Sequence, residues 1–318
     1  MTMPVFLTID TGIVWRHHAG RLDPAAIVAR SLDPAGVGLG YQLGLLRQHG
    51  LKASFFVDPM PALVFGLDPV RQAVDAILDA GQDVQLLLHP QWAGAVAGDG
   101  GAAHGRFALA DYGLGEQRAL IGGARDLLVA AGAPLPAAFR GGGFSANDET
   151  LVALAALGFA YDCSHNGAEH PWPSAIDLPL RQIAPVGRAG LVAVPVTLIE
   201  EHAGALRGFD ICALSAGEMS AALDHAVESG HAAVTIVHHA SALANHAGIS
   251  PDGVHLRRFQ ALCSLLDERR DELRTVHFAD RPPLALGRPD TLLEPNALRL
   301  GWRRAEQLWS SMIAERAA

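Results

Sequence analysis

Five ionisable side chains stand where short apolar runs of the chain end. They are Asp10, His89, Arg140, Asp162 and one of the adjacent pair His238 and His239. Asp and His side chains ligate metal ions and transfer protons, and Arg holds or orients a carboxylate. Asp and His, brought together with an orienting Arg, predict hydrolytic chemistry.

The elements that must position these residues alternate between two periodicities. We predict strands at residues 5–9, 52–57, 83–88, 137–139, 160–162, 191–197, 232–237 and 274–278. We predict helices at residues 36–49, 70–80, 114–131, 147–157, 215–229 and 254–270, followed by a helical tail from residue 295. Repeated strand–helix order indicates an α/β chain with a parallel sheet, and about seven such units favour an incomplete barrel.

The ends of the predicted strands are expected to meet at one rim. In β/α barrels the carboxyl ends of the strands form the active face. Strand alternation sends His238 and His239 to opposite sides, so only one of them can face that rim. The three glycines after Arg140 would allow backbone N–H groups to approach a substrate.

Composition excludes several classes of protein. The 318 residues carry 24 basic and 33 acidic side chains, a net charge of −9, with no basic run of the nucleic-acid-binding kind. No stretch is long and apolar enough to predict a membrane span. The N-terminal residues lack a basic segment and a small-residue cleavage site, and Cys163, Cys212 and Cys263 form no disulfide or metal pattern. We therefore expect a cytoplasmic protein that binds neither nucleic acid nor membrane.

Five short motifs together resemble the polysaccharide deacetylase (NodB-homology) family, over about residues 4–280. Residues 7–11 (LTIDT) are similar to its first motif, and residues 139–143 (FRGGG) to its Arg-containing third motif. Residues 88–92 (LHPQW) resemble the His-x-His-Pro-Trp branch of its second motif. Residues 161–164 (YDCS) and 236–240 (IVHHA) resemble the fourth and fifth.

The resemblance implies a distorted (β/α)7 barrel over residues 1–285, with a C-terminal helical extension, residues 286–318, packed on it. It implies removal of an acetyl group from an N-acetylated sugar with the help of a divalent metal, zinc by preference. Asp10 would then be base or metal ligand, His89 a ligand and His239 the acid. Arg140 and Asp162 would orient and tune them. Substrate contacts would come from Trp92, Gly141, Gly142 and Phe144.

The sequence departs from the family pattern where the metal should bind. Thr11 and Gly12 follow Asp10 where a second acidic residue is usual, and Leu87 stands where the branch has a second histidine. Asp10 and His89 remain as expected ligands, and a third ligand is unknown. His17, His18, His104 and His238 are the histidines that could substitute.

Three functions stay open at this stage. The first is hydrolysis of a non-peptide C–N amide bond, as in N-deacetylation of an amino sugar. The second is a metal-independent hydrolase of a cyclic amide or ureide, and the third is a barrel that binds a saccharide or a partner without turnover. A small-molecule or saccharide partner is expected in each case, and the helical tail also permits a homodimer.

Overall fold

The computed structural model describes residues 2–99 and 106–316, with side chains as far as residue 306. The strands are β1 (Met3–Thr11), β2 (Ser54–Val57), β3 (Asp83–Leu88), β4 (Ala138–Gly141), β5 (Ala146–Asn147), β6 (Tyr161–Asp162), β7 (Ser174–Ala175), β8 (Val186–Arg188), β9 (Leu191–Ala193), β10 (Leu198–His202), β11 (Ala205–Gly208), β12 (Val234–His239) and β13 (Leu273–Thr275). The helices are α1 (Trp15–Ala19), α2 (Pro24–Leu32), α3 (Leu39–Gln48), α4 (Ala62–Phe65), α5 (Asp68–Asp79), α6 (Leu114–Ala130), α7 (Asp148–Ala156), α8 (Ala216–Ser229), α9 (Gly253–Glu268) and α10 (Ala297–Arg316).

A curled sheet forms the centre of the molecule. Seven parallel strands follow one another in the order β12, β1, β2, β3, β4, β6 and β9, while β8 adds an antiparallel edge and β13 pairs with the start of β1. Backbone bonds reach across the gap between β9 and β12, from Thr197 N to Thr235 O (3.1 Å) and from Val237 N to Phe209 O (2.8 Å). The predicted distorted (β/α)7 barrel with a C-terminal helical tail is confirmed.

Strand alternation divides the core into two layers. Along β1, Val5 and Leu7 belong to the large cluster between sheet and helices, and Phe6 belongs to a smaller cluster inside the barrel. Phe278 closes that interior, stacked on Phe6 at a ring-centroid distance of 4.3 Å. Phe6 and Phe278 thus fill one end of the barrel with apolar side chains. At the other end of β1, the inward-facing positions are polar and are occupied by Thr8 and Asp10.

The helix signals in the sequence locate helix starts well. Asn147 caps α7 by accepting a hydrogen bond from Thr150 N (3.0 Å), and Ser215 with Glu218 forms the expected capping box of α8. The predicted strand at residues 191–197 is wrong in its second half, because β9 ends at Ala193. Pro195 has no N–H to donate to a ladder, and the chain continues into the hairpin β10–β11, which was not predicted.

The last helix contacts the barrel through buried ion pairs. Arg303 of α10 is buried, with Nη2 2.6 Å from Glu201 Oε1 and Nε 3.1 Å from Glu218 Oε1. Glu306 lies 2.9 Å from Arg258 of α9. The division into residues 1–285 and 286–318 stays a prediction. Within the described part of the chain, no helix has the length and apolar character needed to span a bilayer.

Candidate active site

Five consecutive strands of the sheet bring ionisable side chains to one rim. In spatial order these strands are β12, β1, β2, β3 and β4, and they carry, at or directly after their ends, His239, Asp10, Asp58, His89 and Arg140. Asp10 and His239 are direct partners in the parallel register. All but Arg140 line one cleft of about 180 Å³, under which the Arg140 guanidinium is buried.

Arg140 fixes the carboxylate of Asp10. Its Nη1 lies 2.6 Å from Asp10 Oδ1, its Nη2 donates to Thr8 Oγ1 (2.9 Å), and its Nε donates to the Cys163 carbonyl (3.2 Å). The guanidinium also lies 4.4 Å above the Phe56 ring. A fully buried guanidinium with all these partners has one orientation, so it holds Asp10 in place.

His239 lies between two carboxylates. Its Nδ1 is 3.9 Å from Asp10 Oδ2, and its Nε2 is 3.7 Å from Asp210 Oδ2. Burial disfavours the charged imidazole, but Asp210 and Asp10 outweigh it and raise the pKa of His239 above its ordinary value. The pKa of Asp210 is shifted so that this carboxylate, too, favours its charged form. Burial opposes its ionisation, but His239 holds the pKa of Asp210 below its usual range. The pair therefore favours a protonated His239 at the cleft.

His89 is paired with a carboxylate that the motifs did not include. His89 Nδ1 lies 2.9 Å from Asp58 Oδ2, and the Asp58 side chain is only 2% exposed while that of His89 is 34% exposed. Asp58 Oδ1 accepts a hydrogen bond from Met60 N (3.0 Å). Burial raises the pKa of Asp58, and the hydrogen bond with His89 offsets part of that rise. The arrangement is a carboxylate–imidazole pair with the imidazole at the cleft.

Aromatic side chains form one wall of the cleft. Trp92 is almost completely buried and meets Trp15 edge-on at 4.7 Å. Leu87 lines the same cleft, where the sequence resemblance would place a second histidine. This wall is apolar, so a substrate group that enters there is bound by shape and aromatic contact.

Asp162 does not line the cleft, and the orienting and tuning role expected for it stays a prediction. It is fully buried and accepts hydrogen bonds from Ser164 N (3.1 Å) and Ser164 Oγ (2.7 Å). Burial raises its pKa to about 6, and the bonds from Ser164 limit that rise. Ser164 Oγ in turn accepts from Gly141 N (3.0 Å), so the Gly141 N–H is not free to bind a substrate oxygen.

Two other expected substrate contacts have different surroundings. A Cβ built on Gly142 would lie 2.2 Å from His89 Cδ2, so Gly142 packs under the His89 ring. Phe144 adopts a left-handed backbone conformation (φ 63°) and lines a neighbouring depression, with its ring 5.8 Å from the Arg140 guanidinium. Gly142 is therefore better described as a support for His89 than as a substrate contact.

Of the histidines considered as substitute metal ligands, those that the structure describes do not line the cleft. His17 and His18 are buried on α1, and the His18 ring lies 5.3 Å from that of Trp92. His238 is fully buried and stacked on Phe259 at 4.9 Å, and burial lowers its pKa to about 3. His104 lies outside the described residues. His239, not His238, faces the cleft.

The residues present do not fit the expected zinc site. Such a site takes three protein ligands and leaves one position open. Over residues 2–99 and 106–306, no three His, Cys, Asp or Glu side chains are grouped so that they could hold an ion. His89 Nδ1 is bound to Asp58, Asp10 is bound to Arg140, and Gly12 contributes no side chain. The two expected ligands, Asp10 and His89, are thus each engaged by another protein group.

Sequence reasoning missed Asp58 and Asp210. Asp58 directly follows a predicted strand, the same signal that marked Asp10 and His89, and this signal could have found it. Asp210 lies in an irregular segment after β11, bridged to Val237 of β12. No periodicity marks that segment, so only the folded chain shows that Asp210 faces His239.

Comparison with known proteins relates the fold to solved structures. The chain aligns with a protein proposed to be a polysaccharide deacetylase from Mycobacterium smegmatis, at 18% identity and a TM-score of 0.55, over 91% of this chain and 94% of that one. A similar alignment, at 11% identity and a TM-score of 0.55, covers 87% of this chain and 88% of a proposed polysaccharide deacetylase from Pseudomonas aeruginosa PAO1. The chain shares their fold.

The same fold also appears with another activity. A 4-alpha-glucanotransferase from Thermococcus litoralis aligns over 89% of this chain and 39% of its own length, at 9% identity and a TM-score of 0.51. No protein-family profile and no curated protein matches the chain. Because one fold supports different reactions, the reaction must be argued from the site.

Proposed function

We propose that this protein hydrolyses a non-peptide C–N amide bond in a small N-acylated molecule, with an N-acetylated amino sugar as the first candidate. The observation that carries this proposal is the placement of His239 between Asp10 and Asp210 at the rim of the barrel. Two carboxylates favour the imidazolium, which is the form that can give a proton to a leaving amine.

Amide hydrolysis needs a proton donor for nitrogen and a proton acceptor for water. His239 serves as the donor in this proposal. Asp10, held in place by Arg140, puts a negative charge beside His239 that favours its protonated form. Two groups that face the cleft can take the proton of the attacking water, the carboxylate of Asp10 and the imidazole of His89. Neither proton donation nor proton acceptance requires the set of three metal ligands that the described residues lack.

The size of the cleft favours a small reacting group. Its volume of about 180 Å³ is below the range of roughly 300–1,000 Å³ typical of sites for drug-sized ligands. An acetamido group or one small ring suits this space, with Trp15 and Trp92 against it. The fold shared with proposed polysaccharide deacetylases supports a sugar as the molecule that carries the acyl group.

A second candidate is a metal-independent hydrolase of a cyclic amide or ureide. The misfit of the residues to a zinc site favours it, because ring opening of such a substrate needs the same proton donor and acceptor. It shares the site with the first candidate and differs in substrate alone. A cytoplasmic location stays a prediction, and neither candidate reaction relies on the divalent metal that the described residues do not fit.

The test is turnover by the purified protein on two panels of substrates. N-acetylglucosamine and related N-acetylated sugars are assayed for acetate release, and hydantoin, dihydrouracil and allantoin for ring opening. We expect turnover on one panel, and loss of about 10²- to 10⁴-fold in kcat when His239 is changed to Asn. His202→Asn, at an exposed position of β10, is the matched control and should keep full activity.

Two results would contradict the proposal. The first is the absence of turnover on both panels by the folded wild-type protein. The second is equal activity of the His239→Asn and His202→Asn variants, because a proton donor cannot be removed without affecting the step that it serves.

A further inference from the structure

We propose that His89, positioned by Asp58, is the general base that activates the attacking water. This inference rests on the proposed amide hydrolysis and assigns the proton acceptor that the reaction needs. It gives Asp58 a role as a positioning residue, and it requires neither the second acidic residue nor the second histidine that the sequence resemblance led us to expect.

The hydrogen bond that Asp58 accepts selects one tautomer of His89. A buried carboxylate 2.9 Å from Nδ1 accepts the Nδ1–H, so the lone pair of the neutral ring lies on Nε2. Asp58 is itself fixed, because its Oδ1 accepts from Met60 N and its own backbone N–H donates to Thr11 O (2.9 Å). The imidazole is 34% exposed and lines the cleft, where it can receive a proton from water.

Two glycines make room for this pair. A Cβ on Gly142 would lie 2.2–2.6 Å from three atoms of the His89 ring, a distance that no side chain tolerates. A Cβ on Gly12 would lie 3.0 Å from Asp58 Cβ. Thr11 and Gly12 stand where the resemblance leads us to expect a second acidic residue, and the Cβ of Asp58, which directly follows β2, packs against Gly12. The small residue at position 12 thus leaves room for Asp58, whose carboxylate contacts His89.

Asp10 is less free than His89 to act as the base. Its Oδ1 is bound to the Arg140 guanidinium at 2.6 Å, and its Oδ2 faces His239 at 3.9 Å. Both oxygens therefore serve cationic groups, one of which is the proposed proton donor. His89 has Asp58 on one nitrogen, and its other nitrogen has no hydrogen-bond partner among the residues that the structure describes.

The reaction balances with these two histidines alone. The water oxygen bonds to the carbonyl carbon, its proton passes to His89 Nε2, and the C=O π electrons move to oxygen. The intermediate then collapses, the C–N bond breaks, and the proton of His239 goes to the departing nitrogen. Proton exchange with solvent restores both histidines, and the products are a carboxylic acid and an amine.

The same Asp58 contact would also orient a histidine that binds a metal through Nε2. What separates the two roles is the missing donor set around His89. The experiment must therefore distinguish a base from a ligand, and it must also distinguish positioning by Asp58 from simple stabilisation of the fold.

The experiment compares His89→Ala, Asp58→Asn and the control His202→Ala in turnover on the substrate found above. We expect kcat to fall by about 10²- to 10⁴-fold in the first two variants with KM changed little, and added imidazole to restore part of the activity of His89→Ala alone. Metal analysis and treatment with EDTA accompany the assay, and we expect EDTA to leave the wild-type rate unchanged.

A readout without turnover tests the tautomer. ¹⁵N NMR of the histidine ring nitrogens should show the His89 proton on Nδ1 in the wild type, and Asp58→Asn should shift the population towards the Nε2–H form. The opposite tautomer in the wild type would overturn the proposal, as would EDTA inactivation reversed by Zn²⁺ or full kcat in His89→Ala. Absence of turnover in the wild type would instead overturn the proposed function, and the base role with it.

Discussion

Replacing Gly142 by Ala should move the His89 ring and little else. The new Cβ would lie 2.2 Å from His89 Cδ2, whereas ordinary contact begins at about 3.4 Å, so the ring must retreat by about 1 Å. A displacement of this size in a reacting group costs about 10²-fold in rate. Overpacking should also lower the free energy of unfolding by about 1–3 kcal/mol. We expect a folded protein with kcat reduced by about two orders of magnitude.

The neighbouring Gly143 supplies the control for this variant. It has a left-handed backbone (φ 60°), and a Cβ there would meet no atom within 4 Å. Gly143→Ala should therefore cost about 1–2 kcal/mol through backbone strain, comparable to the other variant, but leave His89 in place. Turnover assays and thermal unfolding of both variants separate the two effects. Equal activity of Gly142→Ala and Gly143→Ala would refute the view that Gly142 seats the His89 ring.

Three further predictions concern charges around the barrel. Asp210→Asn removes a carboxylate that raises the pKa of His239. Because the proton donor must be charged, the alkaline limb of the kcat/KM–pH profile should move to lower pH. An alkaline limb at the wild-type pH would contradict this role of Asp210. Asp162 has a folded-state pKa raised to about 6, so its contribution to stability is complete below about pH 4 and is lost as pH rises through 6. Between pH 4 and 7, the free energy of urea unfolding should fall less in Asp162→Asn than in the wild type, by up to about 3 kcal/mol. The same pH dependence in the variant and the wild type would count against this prediction. Arg303→Ala leaves the buried Glu218 without its cationic partner, although Ser215 still donates to it, and should destabilise the fold by about 3–5 kcal/mol with kcat unchanged. Chemical denaturation and turnover measure the two effects, and an unchanged denaturation midpoint would show that the ion pair contributes nothing.

The sequence carries enough information for the sheet and its rim because both follow from local patterns. Apolar runs such as residues 83–88 become strands, and the polar residue that ends each run lands at the carboxyl edge of a parallel sheet. Asp10, His89 and Arg140 could be predicted as neighbours by this reasoning. The His238 and His239 alternatives follow from strand alternation, and the resemblance pointed to His239. The register, which pairs Asp10 with His239, supplies the physical reason for that choice.

Partnerships that depend on three-dimensional approach could not be predicted in the same way. Asp210 reaches His239 from an irregular segment, and its position is set by backbone bonds to Val237 rather than by any periodicity. The predicted strand at residues 191–197 is also too long for a tertiary reason. The bond from Val194 N to Asp162 O is the last that β6 accepts, after which Val196 N bonds to His165 O beyond the end of β6 and Thr197 N bonds to Thr235 O of β12. Local propensity does not record such long-range partners.

The departures from the resembled motifs are better explained as one change than as separate losses. Gly12, in the Thr11–Gly12 pair that replaces the expected acidic residue, and a glycine at position 142 look unrelated in the sequence, 130 positions apart. In the fold the first packs against Asp58 and the second lies under the His89 ring that Asp58 holds. A side chain at Gly142 would displace His89, and one at Gly12 would press on Asp58. Chance loss of a metal site would leave such positions free to vary in size, whereas a working Asp58–His89 pair requires both to stay small. Turnover of Gly12→Ala therefore discriminates between the two explanations: a pair in use predicts a drop in kcat, and a disused site predicts none.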